Sequence, residues 1–297
     1  MLRSMYSGIS GMKNFQTKLD VIGNNIANVN TFGYKKGRVT FKDMVSQSIS
    51  GASAPGATMG GVNPKQVGLG SSMATIDTVA TQGSLQTTGR PLDLAISGDG
   101  YFMVGPKPAA AVNFVAGTPT DFNAMNKSYT RAGNLYLDQN GDLVNSDGLY
   151  LLGFTNKSDG AANPTFTVDT TKIDKINIPT NAQSFSISDK GEVQYVDSNG
   201  KLQYAGQVLL AKFPNAEGLQ KTGQNLFKET PNSGIAVANL AQTGGAGSVV
   251  AGTLEMSNVD LSEEFTEMIT AQRGFQANTR IITTSDEILQ ELVNLKR

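Results

Sequence analysis

Apolar residues recur every seven positions at both ends of the chain and alternate with polar ones in between. Near the start, Met5, Met12, Leu19 and Ile26 form one column. Phe15, Ile22 and Val29 form a second, and Leu2 and Ile9 begin a third. Near the end, Leu261, Met268, Phe275, Ile282 and Leu289 form one column; Ile281, Ile288 and Leu295 form another, with Leu292 beside them. Columns at this spacing draw an apolar stripe along a helix, and such a stripe needs a cover. The pattern predicts one helix from Leu2 to about Asn28–Thr31 and another from Asp260 to Arg297. Asp260 with Glu263 resembles a capping box. Asp260, Glu263, Glu264 and Glu267 at the start, with Lys296 and Arg297 at the end, suit the helix dipole. Two covers are open. The helices clasp each other within one chain, or they pack against helices of other copies.

The middle reads as strands and turns. Leu92 to Ile96 alternates, Gly98-Asp99-Gly100 turns, and Tyr101 to Val104 runs back. Asn140-Gly141, Lys190-Gly191 and Asn199-Gly200 each separate two apolar runs, a strong short-range hairpin signal. Hairpins at this frequency predict an antiparallel β domain, sandwich-like or barrel-like. Between Gly105 and Ser128, and between Thr155 and Asn177, the pattern weakens into loops. Tyr34 to Ser46 predicts a short strand or hairpin and then a brief helical turn. Ser48 to Gly70 is rich in Gly, Ser and Ala and reads as a linker or surface arm. The expected fold class is therefore α+β. Its terminal helical domain takes residues 1–45 and 257–297, its arm 46–75, and its outer β domain 76–256.

Charge adds a bias between the ends. Residues 1–40 carry a net +5 and residues 260–297 a net −3, which favours their pairing weakly. The whole chain has net charge −1 and only 16% charged residues, so no basic field points to nucleic acid. Composition also limits chemistry. With no His and no Cys there is no Ser-His-Asp triad, thiol nucleophile, disulfide or His- or Cys-ligated metal. No paired-acid constellation stands out, so no enzyme, no cofactor and no metal are expected. Gly98-Asp99-Gly100 lacks the glycine spacing and following helix of a nucleotide loop. Asp138 to Asp142 lacks most calcium-loop positions, and a hairpin tip explains it. Lys35, Lys36 and Arg38 form a local basic cluster. The N-terminus lacks the apolar core of a cleaved signal peptide, and no run is long enough for a membrane span.

Several motifs then carry a resemblance. Gly23-Asn24-Asn25-Ile26-Ala27-Asn28 with Thr31-x-Gly33-Tyr34-Lys35 resembles the N-terminal signature of bacterial flagellar rod and hook proteins. Ser257 to Asp260 and the helix through Met268, Gln272, Arg273 and Phe275 resemble their C-terminal signature. Gly89-Arg90-x-Leu92-Asp93-x-Ala95-Ile96 and Tyr129-Thr130-Arg131-x-Gly133 resemble their β-domain motifs. Within the family the chain looks most like a short hook subunit, with a distal rod subunit as the alternative. The resemblance implies a homopolymer, a helical tube with terminal helices lining its channel and β domains outside. It implies export through the flagellar type III apparatus without a cleaved signal, to an extracellular place in the hook or basal body. Distal rod protein, hook cap and hook–filament junction protein are the implied partners. The expected subunit-interface residues are Met5, Ile9, Met12, Leu19, Ile22, Ile26, Leu261, Met268, Phe275, Ile282, Leu289 and Leu292. The family-motif residues are Asn24, Asn25, Asn28, Thr31, Gly33 and Tyr34.

Overall fold

The structure, a computed structural model, describes residues 2–56, 59–107, 112–113, 126–156 and 168–295. The chain divides into two compact units. The first holds Met1–Val29, Lys36–Val79 and Val259–Arg297; the second holds Asn30–Lys35 and Ala80–Asn258. Residues 46–75, expected as a separate arm, thus belong with the helices, while Asn30–Lys35 belongs with the β unit.

In the first unit, helix α1 spans Leu2–Ala27 and helix α2 spans Leu261–Asn294. At about 1.5 Å per residue they are roughly 39 and 51 Å long. Asp260 caps α2, its carboxylate accepting from the Ser262 amide at 2.8 Å. The expected capping box is only half made, because the Glu263 carboxylate turns to Lys36 at 2.7 Å. Lys296 and Arg297 lie outside the described residues. Strands Gly37–Asp43 and Ser71–Thr78 pair antiparallel, with an irregularity at Thr40/Phe41. They lie along α1, where Asn14 Nδ2 donates to Ser71 Oγ at 2.9 Å.

Two expectations for this region fail. The chain after Tyr34 makes strands, and no helical turn follows. The expected linker contains an antiparallel hairpin, Ser46–Ser50 against Lys65–Gly68, extended by a Ser53/Val62 bridge. Both strands are exposed throughout, so neither has a buried face to impose an apolar period.

The second unit is antiparallel in every recorded pairing, and its main sheet is large and branched. Tyr101–Gly105 pairs with Ser128–Thr130, Tyr150–Asn156 and Leu202–Lys212. Successive residues on a strand point to opposite faces. Here both faces are covered. Phe102, Val104, Leu151, Val208 and Leu210 enter one core; Tyr101, Met103, Leu152, Leu209 and Ala211 enter the other. That is why these strands read as nearly continuous apolar runs. Tyr129 and Tyr101 meet Phe213 edge-on at centroid distances of 4.8 and 5.8 Å.

The hairpins at Asn140-Gly141, Lys190-Gly191 and Asn199-Gly200 form as expected. The one at Gly98-Asp99-Gly100 does not. Leu94–Ser97 pairs with Ser248–Ala251, so this turn is a corner leading into the main sheet. Gly98 and Gly100 adopt φ values of 109° and 136°, which favour glycine.

Candidate assembly surface

In the first unit α1 and α2 run antiparallel against each other. Gly8 lies opposite Ile282, Gly11 opposite Asn278, and Phe15 opposite Gly274. Lys18 pairs with Glu267 at 3.2 Å, and Asn25 Nδ2 donates to Glu264 at 3.1 Å. A Cβ on Gly274 would fall 2.5 Å from the Phe15 ring, so glycine lets the helices approach there. The clasp is therefore real. Its seam on α2 uses the column Met268, Phe275, Ile282 and Leu289, which the sequence assigned to the subunit interface and which is half-buried here against the chain's own first helix. Beside it runs a second column, Glu264, Ala271, Asn278 and Ser285, which is small or polar.

The other expected interface residues divide. Ile22 is buried, while Met5, Met12, Leu19 and Ile26 are half-buried. Ile9, Leu261 and Leu292 are exposed. Ile281, Ile288 and Leu295, the second expected column, are exposed as well. The clasp thus covers one stripe and leaves another bare. Tyr6, Phe265, Ile269 and Val293 extend the bare surface on the helices, and Phe41, Met73 and Ile76 expose apolar area on the paired strands. Among the described residues, all but six of the exposed large apolar side chains lie in this unit. The six are Leu85, Tyr136, Leu137, Leu202, Ile235 and Val237.

The N-terminal motif serves both units, each by its own contacts. In the first, Asn28 Nδ2 donates to the Asn24 carbonyl at 2.9 Å and to its side-chain oxygen at 2.7 Å, closing α1. Asn25 is buried, and its amide both donates to Gly37 O and accepts from Gly37 N at 2.9 Å. Glu264 is only 4% exposed. Burial raises its pKa, against the opposing Asn25 hydrogen bond and Lys36 charge, while Glu267 and Glu263 add to the rise. An acid whose folded pKa is raised costs stability when ionised, and the cost disappears as pH falls through that pKa. Glu264→Gln keeps an acceptor for Asn25. It should raise the thermal midpoint of the helical circular-dichroism signal at pH 7, with the gain narrowing toward pH 4.

In the second unit, Gly33 adopts φ 69°, and a Cβ there would lie 2.7 Å from the Arg131 and Ala132 backbone. The Tyr34 carbonyl accepts from the Asn258 amide at 3.4 Å, and Lys221 Nζ sits 4.7 Å from the centre of the Tyr34 ring. Thr31 and Phe32 line a shallow polar cleft.

Sequence reasoning missed a buried charged cluster in this unit. Lys35 Nζ meets Glu255 Oε1 at 2.5 Å, and Arg131 meets Glu255 Oε2 at 3.1 Å. The three side chains are 1%, 4% and 0% exposed for Lys35, Arg131 and Glu255. Lys35 stands apart from Lys36 and Arg38, the other members of the local basic cluster, because its ammonium lies inside. Burial lowers its pKa, and the Glu255 charge opposes the shift. Lys35 and Arg131 each belong to a quoted motif, and Glu255 lies just before a third. That coincidence was the signal available.

Among the described residues no cluster of metal-ligating side chains occurs, and no helix is long and apolar enough to cross a membrane. The Asp142 carboxylate, at the hairpin tip weighed for calcium, is taken by Lys175 at 2.5 Å and Asn177 at 2.7 Å.

Family models match three stretches. Residues 5–35 match "Flagella basal body rod protein", residues 120–195 "Flagellar hook protein FlgE/F/G D1 domain", and residues 250–295 "Flagellar basal body rod FlgEFG protein C-terminal". The flagellar basal-body rod protein FlgG of Bacillus subtilis is 58% identical, covering 100% of both chains. In Borreliella burgdorferi the rod protein FlgG is 35% identical over 300 residues and the hook protein FlgE 34% identical over 441, each covering 100% of both chains. The chain belongs to the family of flagellar rod and hook proteins, axial structural proteins of the flagellum.

Proposed function

We propose that this chain is a rod subunit of the flagellar basal body, which polymerises with copies of itself into a tube. The observation that carries the polymer reading is the bare apolar stripe on the clasped helices. Burying apolar area contributes about 25 cal/mol per Å2, so a surface of this kind favours a cover. Both covers weighed from sequence are then in use. One stripe closes the chain's own clasp, and the other faces neighbouring copies.

Rod rather than hook is supported by length. The rod and hook relatives from Borreliella burgdorferi are equally similar to this chain, at 35% and 34%. The rod alignment runs over 300 residues, close to the 297 here, whereas the hook alignment runs over 441. The hook relative therefore carries sequence that this chain lacks. This reverses the order of preference given by the motifs alone. Export without a cleaved signal, placement outside the cytoplasm, and contact with other axial proteins follow as parts of the same proposal. The role is structural, not catalytic.

The chain has no cysteine, so single introduced cysteines report cleanly on burial. Ile288→Cys should react with a maleimide in the monomer and be protected in the assembled tube. Leu202→Cys, on the exposed part of the β unit, is the comparison and should react in both states. Full labelling at position 288 in the assembled tube would refute the covered-stripe assignment.

A further inference from the structure

The second unit is closed by residues that arrive late in the chain. Thr253–Glu255 pairs with Leu85–Thr87. The Met256 amide donates to Ser84 O at 2.9 Å, and Asn258 Nδ2 donates to Thr81 O at 3.2 Å. Glu255 stands at the centre. Its main-chain carbonyl accepts from the Gly33 amide at 2.8 Å, and its Oε1 accepts from the Gly83 amide at 3.0 Å. Its two carboxylate oxygens meet Lys35 and Arg131. Lys35 also donates to Thr81 O at 2.8 Å, and Arg131 to Gly98 O at 2.9 Å.

Two buried cations therefore share one carboxylate, and every recorded ion pair of either cation is with Glu255. A cation held in a dry interior without its partner charge is strongly unfavourable. The residues concerned are far apart in sequence: Glu255 lies 220 positions from Lys35 and 124 from Arg131. Nothing local can stand in for it.

We propose that Glu255 is a folding latch: the segment Asn30–Lys35 and the strand Leu85–Thr87 dock on the second unit only when Glu255 is in place. The main sheet, whose strands run from Tyr101 to Leu240, is packed by two cores that include no residue of 253–258, and it does not wait for Glu255. The latch holds the N-terminal segment undocked until nearly the whole chain is available. The inference does not depend on the rod assignment, since it concerns closure of the unit alone.

The test is hydrogen exchange on the full chain. In pulse-labelled refolding, the Gly33 and Gly83 amides should gain protection together with residues 253–258, and after Tyr101–Gly105 and Leu202–Lys212. At equilibrium, Glu255→Gln keeps the side chain's shape and removes its charge. It should speed exchange at Gly33 about 100-fold or more while the main sheet stays protected, in line with loss of a buried partner charge. The triple variant Lys35→Met, Arg131→Met, Glu255→Met removes the charges together and should restore slow exchange at Gly33. Protection of Gly33 before residues 253–255 would overturn the latch. So would unchanged exchange in Glu255→Gln, and so would a triple variant as open as the single one, since packing rather than charge would then hold the segment.

Discussion

Gly133→Ala should unfold or severely loosen the β unit. A Cβ at this position would lie 1.6 Å from the Leu94 carbonyl oxygen and 2.7 Å from its carbon. Both are backbone atoms, so no rotamer change relieves the clash. Moving Leu94 away would break its amide hydrogen bond to Gly133 O, 3.0 Å long, and disturb the pairing of Leu94–Ser97 with Ser248–Ala251. Leu94 is fully buried, so the shift would also open the core. Overpacking with backbone displacement typically costs up to about 3 kcal/mol, and this clash belongs at the top of that range or above. Domains are stable by only about 5–15 kcal/mol. The chain has no Trp, and tyrosine fluorescence in urea is the readout. Gly23→Ala is the contrast. It lies on α1 with nothing within 4 Å of its added Cβ, and it should stabilise the helix by roughly 0.5–1 kcal/mol. A Gly133→Ala midpoint equal to wild type would mean that the Leu94 strand is not where the structure places it.

The second large effect is expected at Ile282. It is half-buried on the seam of α2, within 3.4 Å of where a Cβ on Gly8 would stand. Aspartate there puts an unpaired charge into the clasp at a cost of about 2 kcal/mol or more. Helices in proteins draw most of their stability from tertiary packing of their apolar face, so losing the seam should melt both. The β unit has its own cores and should keep its fold. Ile282→Asp should therefore lose helical circular dichroism and fail to build a tube, while its β unit resists protease. Gln290→Asp should be far milder. Gln290 is exposed and bonds Asp286 at 3.0 Å, so the change adds only a like-charge pair one turn apart, worth a few tenths of a kcal/mol. Loss of β-unit folding in Ile282→Asp would show that the helix belongs to that unit's core.

These two positions also mark what the sequence could and could not disclose. Ile282 was legible because a seven-residue period writes a helix stripe directly into the chain. The period does not name the stripe's partner. The polar half of the seam, Glu264, Asn278 and Ser285, kept an apolar count from deciding between the clasp and a contact with other copies. Hairpins at Asn140-Gly141 and Asn199-Gly200 were legible because their turn residues are local. At Gly98-Asp99-Gly100 the same logic failed, since strand partners are chosen by distant residues. The hairpin within 46–68 left no trace because it has no buried face. Lys35, Arg131 and Glu255 were out of reach as a set. Each lies in or beside a family motif, but nothing else in its neighbourhood says that the other two will share its interior.

The most direct measurement of the rod assignment is electron microscopy of basal bodies from a strain lacking this chain. Complementation with the wild-type chain and with Ile282→Asp provides the two comparisons. The account predicts rods that stop short in the deletion strain and in Ile282→Asp, and full-length rods with the wild-type chain. Complete rods that lack only hooks in the deletion strain would contradict it and make the chain a hook subunit.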